Sequence, residues 1–440
     1  MNVLLILNDL PYGTERSYNG LRLAGSLWAT PPAAPKPDKS SPSVGGPGHR
    51  LLRGRHMAEI VIVGGGVGGV VAAKRLRRSL GGGHRVTVLD RARDHLFQPS
   101  LLWVADGTRR PERLSRPLTR LHRRGVSFRL GAVQGLDLSR RRVRLDEGEI
   151  PYDYLLLAPG AELRPEALPG LREAGGGRNL YTLDGAAGLD ADLSRFQGGR
   201  LVVLVAAMPF KCPAAPYEAA MLLEARLRAH GVRGRCEVAV YTPEPQPMPV
   251  AGPALGAAVR AMLASHGIDY FPGHKPVAVE PGSRTIRFET GDGARYDVLA
   301  YVPPHAAPAF VVDAGLAPAG GWVRVDPRTL ATPVERVWAV GDVTGIPLPN
   351  GKLLPKAGVF AEGQAEVVAR NIAALVRGAA PAAEFGGEGA CFVEMGGGRA
   401  GFATGDFYAS PDPVVRLKTP GRRWHWAKVL FERTWFPRWL

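Results

Sequence analysis

The chain has 440 residues, 45 % of them hydrophobic, with 56 Gly, 39 Pro and a net charge of +16. That is room for two or three domains with sizeable cores. Its three cysteines, Cys212, Cys236 and Cys391, exclude a disulfide-built scaffold and a four-cysteine zinc site. The longest purely apolar run, Leu201 to Phe210, is too short to span a bilayer. No basic start followed by a long apolar stretch opens the chain, so a secretory signal is not expected.

Residues 1–28 read as one strand, a loop and a short helix, too little to bury a core. This stretch resembles the opening of DsrE-like sulfur-relay proteins. The next segment, 30–56, is Pro, Ser and Gly without periodicity, a flexible linker. Residues 1–56 are therefore expected to be a disordered or vestigial extension, with the folded part starting at Met57.

From Ala58 strands and helices alternate. IVIVGGG enters a turn, Val67 to Leu80 forms a helix, and Arg85 to Asp90 forms the next strand. YDYLLLAPG, LVVLVA, RCEVAVYT and RVWAVGD are further buried strands. Val/Leu-rich runs without polar alternation suit a parallel sheet covered on both faces. The expected class is α/β and doubly wound.

Gly64, Gly66 and Gly69 form G-x-G-x-x-G between the first strand and the first helix, and Asp90 follows Gly69 by 21 residues. Gly64 permits the turn, Gly66 admits a pyrophosphate to the backbone, and Gly69 lets helix and strand pack closely. Asp90 then reaches a ribose hydroxyl. The fingerprint alone does not choose between FAD and NAD. Two later segments, Tyr152 to Ala161 (with Ala158 and Gly160) and Arg336 to Val343 (with Gly341 and Asp342), resemble the remaining flavin-binding stretches of two-dinucleotide-domain flavoproteins. The resemblance implies FAD, with Asp342 on the ribityl chain, and a flavin domain split by an inserted NAD-type domain.

The insertion lacks its own glycine fingerprint. Ala207 to Arg228 contains no glycine, which disfavours a nicotinamide cofactor there. Cys212 stands in its place, ahead of a helix starting near Pro216 and beside Lys211. The helix dipole and Lys211 are expected to favour the thiolate; the bland reading is a small buried hydrophobe. Glu218, in the first helical turn, is either a general base or an acid favoured by the dipole.

PFKCPAAPYEAA, PMPVAG, LPKAGVFAEGQAEVVARNI and CFVEMGGGRAGFATGDFYASPDP resemble sulfide:quinone oxidoreductases and the flavoprotein of flavocytochrome c sulfide dehydrogenase. The likeness implies a cysteine that attacks sulfide-level sulfur, FAD as electron acceptor, Lys356 beside the flavin ring and quinone as the final acceptor. It also implies a second redox cysteine shortly before LPKAG, and Gly345 to Leu353 contains none. Cys236 and Cys391 read as core, which leaves Cys212 acting alone. The ten histidines show no metal-ligand spacing, and His266 and His305 read as helix-end and loop residues.

The charge is uneven: Arg109 to Arg144 carries twelve Arg against two acids, and Arg416 to Leu440 seven bases against one. No nucleic-acid motif accompanies it. In the tail, Trp424, Phe431 and Trp435 recur at helical spacing among basic residues, as in a helix lying on an anionic membrane; packing back on the flavin domain is the other reading.

The whole predicts two Rossmann-like domains, the flavin domain (57–163 and 304–380) split by the second (164–303), with a cap and tail at 381–440. The leading function is oxidation of sulfide or a small sulfur nucleophile through Cys212 and FAD. The electrons go to quinone on the cytoplasmic face of the membrane, with a DsrE-like relay protein as a further partner. A type II NADH:quinone reductase and a non-enzymatic sulfur carrier are the alternatives.

Overall fold

Apolar runs without polar alternation form the centres of two parallel sheets in the computed structural model, which describes residues 57–440. The DsrE-like opening and the linker lie outside the described residues. The first sheet has the order Val337–Ala339, Tyr154–Leu157, Glu59–Val63, Arg85–Asp90, Ser127–Leu130, all parallel. Ile60 and Ile62 enter one buried cluster while Val61 and Val63 enter another. Both faces are thus covered, and this is why the strand needs no polar alternation. The helix Val67–Leu80 packs on the helix Gly358–Val376 over one face.

The second sheet has the order Arg178–Asn179, Val298–Val302, Gly199–Val205, Cys236–Tyr241, Asp269–Phe271, again all parallel. The two connections between the sheets lie side by side, since Glu162–Leu163 pairs antiparallel with His305–Ala306. The fold is therefore the expected α/β pair of Rossmann-like units.

An antiparallel sheet, Glu388–Glu394, Ala400–Asp406 and Val414–Gly421, follows and leads into the tail helix Arg422–Trp439. Here the membrane-anchor reading of the tail is corrected. Trp424, Trp435 and Trp439 are only 3, 2 and 1 % exposed, and Phe431 packs against the flavin-domain core. Trp424 stacks on Phe402 at 4.7 Å between ring centroids. The Trp435 indole N–H donates to His95 Nε2 at 2.8 Å. Each such ring has roughly 150–250 Å² of surface to bury, and here the fold itself covers it and supplies the acceptor for the Trp435 N–H. Among the described residues no helix is long and apolar enough to cross a membrane.

Candidate active site

The first strand delivers its glycine turn to the carboxyl edge of the sheet, where strand order reverses and α/β folds bind ligands. Gly64 has φ +107°, and a Cβ there would lie 2.2 Å from the Ala158 carbonyl oxygen. A Cβ on Gly69 would lie 1.8 Å from the Gly64 carbonyl oxygen. Gly66 caps the helix without a side-chain bond, and a Cβ there would meet nothing within 4 Å. The open space in front of a helix N-terminus is an anion cradle. Asp90 closes the next strand; its Oδ2 accepts the Gly65 N–H at 2.5 Å and its Oδ1 the Ala92 N–H at 2.7 Å. Because His95 Nε2 accepts from Trp435, its Nδ1 donates to the Gly65 carbonyl at 2.7 Å. The tail helix is thereby tied to the cradle.

The opposite rim carries Gly160, with φ +75° and open space at its Cβ position, and Gly341, whose N–H donates to Gln364 Oε1 at 2.7 Å. Asp342 Oδ1 is buried with no hydrogen-bond partner. Burial raises its carboxyl above the ordinary range, against the pull of Lys211 and Lys356. A buried carboxylate oxygen without a donor calls for one from a ligand, and a polyhydroxylated chain supplies it. The cradle, Asp90 and the orphaned Asp342 oxygen together fit FAD.

Lys356 lies next to Asp342. Its Nζ donates to the Asp342 and Thr344 carbonyls at 2.7 and 3.0 Å and sits 3.3 Å from the Trp322 ring centre. Burial lowers its pKa to about 7, with Asp342 opposing. The main chain links this lysine to the cysteine, because the Cys212 N–H donates to the Lys356 carbonyl at 2.6 Å. Cys212 itself has φ +51°, and its carbonyl accepts the Ala215 N–H at 2.9 Å at the start of the helix Ala215–Ala229.

The expected activation of Cys212 as a resting thiolate is overturned. Burial and then the charge of Glu218 push its thiol up to about 12, with Lys428 and the Ala215 amide pulling the other way. Desolvation outweighs the helix dipole here. Lys211 spends its Nζ on Gln98 Oε1 at 2.9 Å. Deprotonation of Cys212 therefore needs a base in place.

Cys212 and Cys391 line one apolar cavity of about 950 Å³, counting its open mouth, together with Lys356, Phe210, Met248 and Phe360. Cys391, on the strand Glu388–Glu394, packs against the core as expected, but it also faces this cavity. Burial first, then Cys212 and Glu218, hold its thiol well above the ordinary range. Cys236 is buried, donates from Sγ to the Val232 carbonyl at 3.3 Å and lines no part of the cavity.

Glu218 is 3 % exposed. Its Oε1 accepts Lys428 Nζ at 3.0 Å and the Glu394 N–H at 2.9 Å. His305, read as a plain loop residue, lies at the junction of the two sheets with its Nε2 buried and unpartnered. Burial, Lys211 and Lys356 lower its pKa to about 3, so it is neutral. His266 is the expected helix-end residue, bonded to Glu224 Oε2 at 3.0 Å. Among the described residues no cluster of His, Cys, Asp and Glu is arranged for a metal ion.

The family model for pyridine nucleotide-disulphide oxidoreductases matches residues 58–365. The chain belongs to this family. Among its relatives, the mitochondrial sulfide:quinone oxidoreductase of Mus musculus is 25 % identical, with 80 % of this chain and 79 % of the relative covered. The crystal structure of the sulfide:quinone oxidoreductase of Aquifex aeolicus superimposes with a TM-score of 0.77 at 27 % identity, covering 85 % of this chain and 89 % of that one. The type II NADH:quinone oxidoreductase NdhA of Mycobacterium tuberculosis is 27 % identical over 67 % of each chain. This pyridine nucleotide-disulphide oxidoreductase is an FAD-dependent oxidoreductase similar to sulfide:quinone oxidoreductases.

Of the residues singled out in the sequence, Cys212 and Lys356 line one cavity, which Cys391 also lines, and Glu218 lies buried against Lys428; Cys391, Lys428 and His305 carried no functional reading in the sequence. Cys391 stands in the middle of its strand, and nothing local sets it apart from a core residue. Nothing local marked Lys428, which arrives from 210 residues away.

Proposed function

We propose that the protein oxidises sulfide or a small sulfur nucleophile at Cys212 and passes the electrons through FAD to a quinone. The observation that carries this reading is the pair of thiols in one apolar cavity whose wall also includes Lys356. The likeness to sulfide:quinone oxidoreductases supports it. Bound FAD supplies the two-electron acceptor. Joining the Cys212 thiol to a hydrosulfide ion forms one S–S bond and leaves a persulfide that keeps the hydrosulfide proton, with release of two electrons and one proton. Glu218 is the base that takes the proton from Cys212. Cys391 is the second thiol: exchange with the Cys212 persulfide moves the terminal sulfur to Cys391 and returns Cys212 to its thiol. Lys356 holds positive charge beside the site where reduced flavin gains negative charge.

Anaerobic titration of the purified yellow protein tests the donor. Sulfide is expected to bleach the flavin absorbance within the mixing time of a manual assay, and NADH to leave it unchanged over the same interval. Fast bleaching by NADH would instead favour the type II NADH:quinone reductase reading. Its weakness is the stretch Ala207 to Arg228, which carries no glycine for a pyrophosphate.

The quinone reading places the protein peripherally on the cytoplasmic face of a membrane. The outer face of the tail helix, rather than its buried aromatic stripe, suits this contact. Trp426 and Leu430, four residues apart, are 63 and 46 % exposed, flanked by exposed Arg422, Arg423 and Arg433. Exchanging both Trp426 and Leu430 for Ala is expected to lower binding to anionic vesicles at least about tenfold without loss of flavin. Salt should weaken the wild-type interaction, since exposed charges are screened over roughly 8 Å at physiological ionic strength. Unchanged co-sedimentation of the double variant would remove this face from the membrane.

A further inference from the structure

The turn after the first strand is made of three consecutive glycines, Gly64, Gly65 and Gly66. Glycine restricts its backbone less than any other residue, so this turn does not by itself hold its amides in one direction. Two side chains hold it from outside. Asp90 Oδ2 accepts the Gly65 N–H at 2.5 Å. The Gly65 carbonyl lies 2.7 Å from Nδ1 of His95, a residue only 1 % exposed.

A planar trans peptide points its N–H opposite to its C=O. With the Gly65 carbonyl turned to His95, the Gly66 N–H points away from that ring, and Gly66 is exposed. Gly66 caps the helix Val67–Leu80 and faces open space. A half-turn of the Gly65–Gly66 peptide would present a carbonyl oxygen there instead, where an anion needs a donor.

The tail helix decides which His95 nitrogen carries the proton. An indole N–H can only donate, and Trp435 donates to Nε2 at 2.8 Å. Burial lowers the His95 pKa against the opposing pull of the Gly65 carbonyl and Asp90, so the ring is neutral and has one proton. That proton is on Nδ1, facing Gly65. The end of the tail helix is fastened to both helices beside the turn. Arg438 Nη2 donates to Glu362 Oε1 at 2.8 Å on the helix Gly358–Val376, and Lys74 of the helix Val67–Leu80 donates to the Arg438 carbonyl.

We propose that His95 is a positioning residue for the cofactor. With its proton placed by Trp435, it fixes the Gly65–Gly66 peptide so that the Gly66 N–H is available to the FAD pyrophosphate, and docking of the tail helix thereby sets how firmly FAD is held. This role rests on the reading of the glycine turn as the pyrophosphate site. The coupling is reciprocal: whatever the docked tail adds to FAD binding, bound FAD adds to tail docking.

The test follows exchange of bound FAD against excess radiolabelled FAD in the full-length holoenzyme. His95→Gln keeps an acceptor near the Nε2 position for Trp435 but loses the donor to Gly65. Its FAD should exchange about thirtyfold faster, the scale of one buried acceptor left unpaired. His95→Asn keeps an N–H near the Nδ1 position, and an amide needs no tautomer set for it, so exchange should stay within about threefold of the parent. Trp435→Phe should speed exchange about fivefold in the parent and add nothing in the His95→Asn background, as coupled residues do in a double-mutant cycle. Thermal melting reads folding, and a soluble His95→Gln protein that purifies without flavin is the limit of the expected result. Equal exchange in His95→Gln and His95→Asn, or a Trp435→Phe effect that survives in the His95→Asn background, would overturn the role of His95. Gly66→Val separates that failure from failure of the glycine turn. If Gly66→Val loses flavin while His95→Gln and His95→Asn exchange alike, the turn stands as the cofactor site and His95 does not position it. If Gly66→Val keeps full flavin, the turn itself is not the site.

Discussion

Changing Cys212 to Ser leaves a folded, yellow protein whose sulfide-dependent flavin reduction is slower by about a thousandfold, roughly 4 kcal/mol of barrier. The substitution keeps the Cβ, so the positive φ of +51° carries no added strain. The main-chain bonds to Lys356 and Ala215 do not involve the side chain. What is lost is a sulfur that can become a nucleophile once Glu218 takes its proton, because a hydroxyl is far harder to ionise. Cys391→Ser should spare the first reduction of the flavin and lower steady-state turnover by about tenfold or more, since sulfur then has no second thiol to leave to. Cys236→Ser should act on stability alone, as Cys236 lies away from the cavity. Stopped-flow absorbance of the flavin, with thermal melting as the control for folding, reads all three. A Cys212→Ser protein that reduces its flavin at the wild-type rate would end the sulfur-nucleophile mechanism.

Gly66→Val and Gly69→Ala should separate cofactor binding from folding, although the two glycines belong to one motif. Gly66 has extended backbone (φ −73°, ψ −165°), and the space beyond its Cβ position is open for 4 Å. A branched side chain therefore fits the apoprotein and fills the volume that a pyrophosphate needs. The expected product is soluble, colourless protein. At Gly69 the added methyl would stand 1.8 Å from the Gly64 carbonyl oxygen, a backbone atom that cannot move without separating helix from strand. That clash costs more than about 4 kcal/mol, a large part of a domain's stability, so Gly69→Ala should be insoluble or unfolded. The ratio of flavin to protein absorbance and the melting temperature measure both outcomes. Full flavin occupancy in Gly66→Val would remove the cradle from the cofactor site.

Local pattern was sufficient for the flavin half of this protein. The glycine spacing, the acid at the end of the second strand and the unbroken apolar strands depend on chain geometry within about thirty residues. The bounds of the helix Val67–Leu80 and the missing fingerprint of the insertion are legible for the same reason. Cys212 stood out because it occupies a turn where a cofactor motif belongs.

The remaining features depend on what each element packs against. Helical spacing marks Trp424 and Trp435 as one face of the tail, but only the docking of that face on Phe402 and His95 decides that it points inward. Strand pattern makes Cys391 apolar and enclosed without saying that its neighbour is a cavity shared with Cys212. The ionisation of Cys212 shows the limit most plainly. Helix dipole and an adjacent lysine are read from sequence and favour the thiolate, whereas burial and the charge of Glu218 raise the thiol. The sequence by itself determines the dinucleotide fold and its glycine motif, because these are local. Only the tertiary structure decides which thiols, acids and bases meet, because desolvation and charge coupling act between residues distant in the chain.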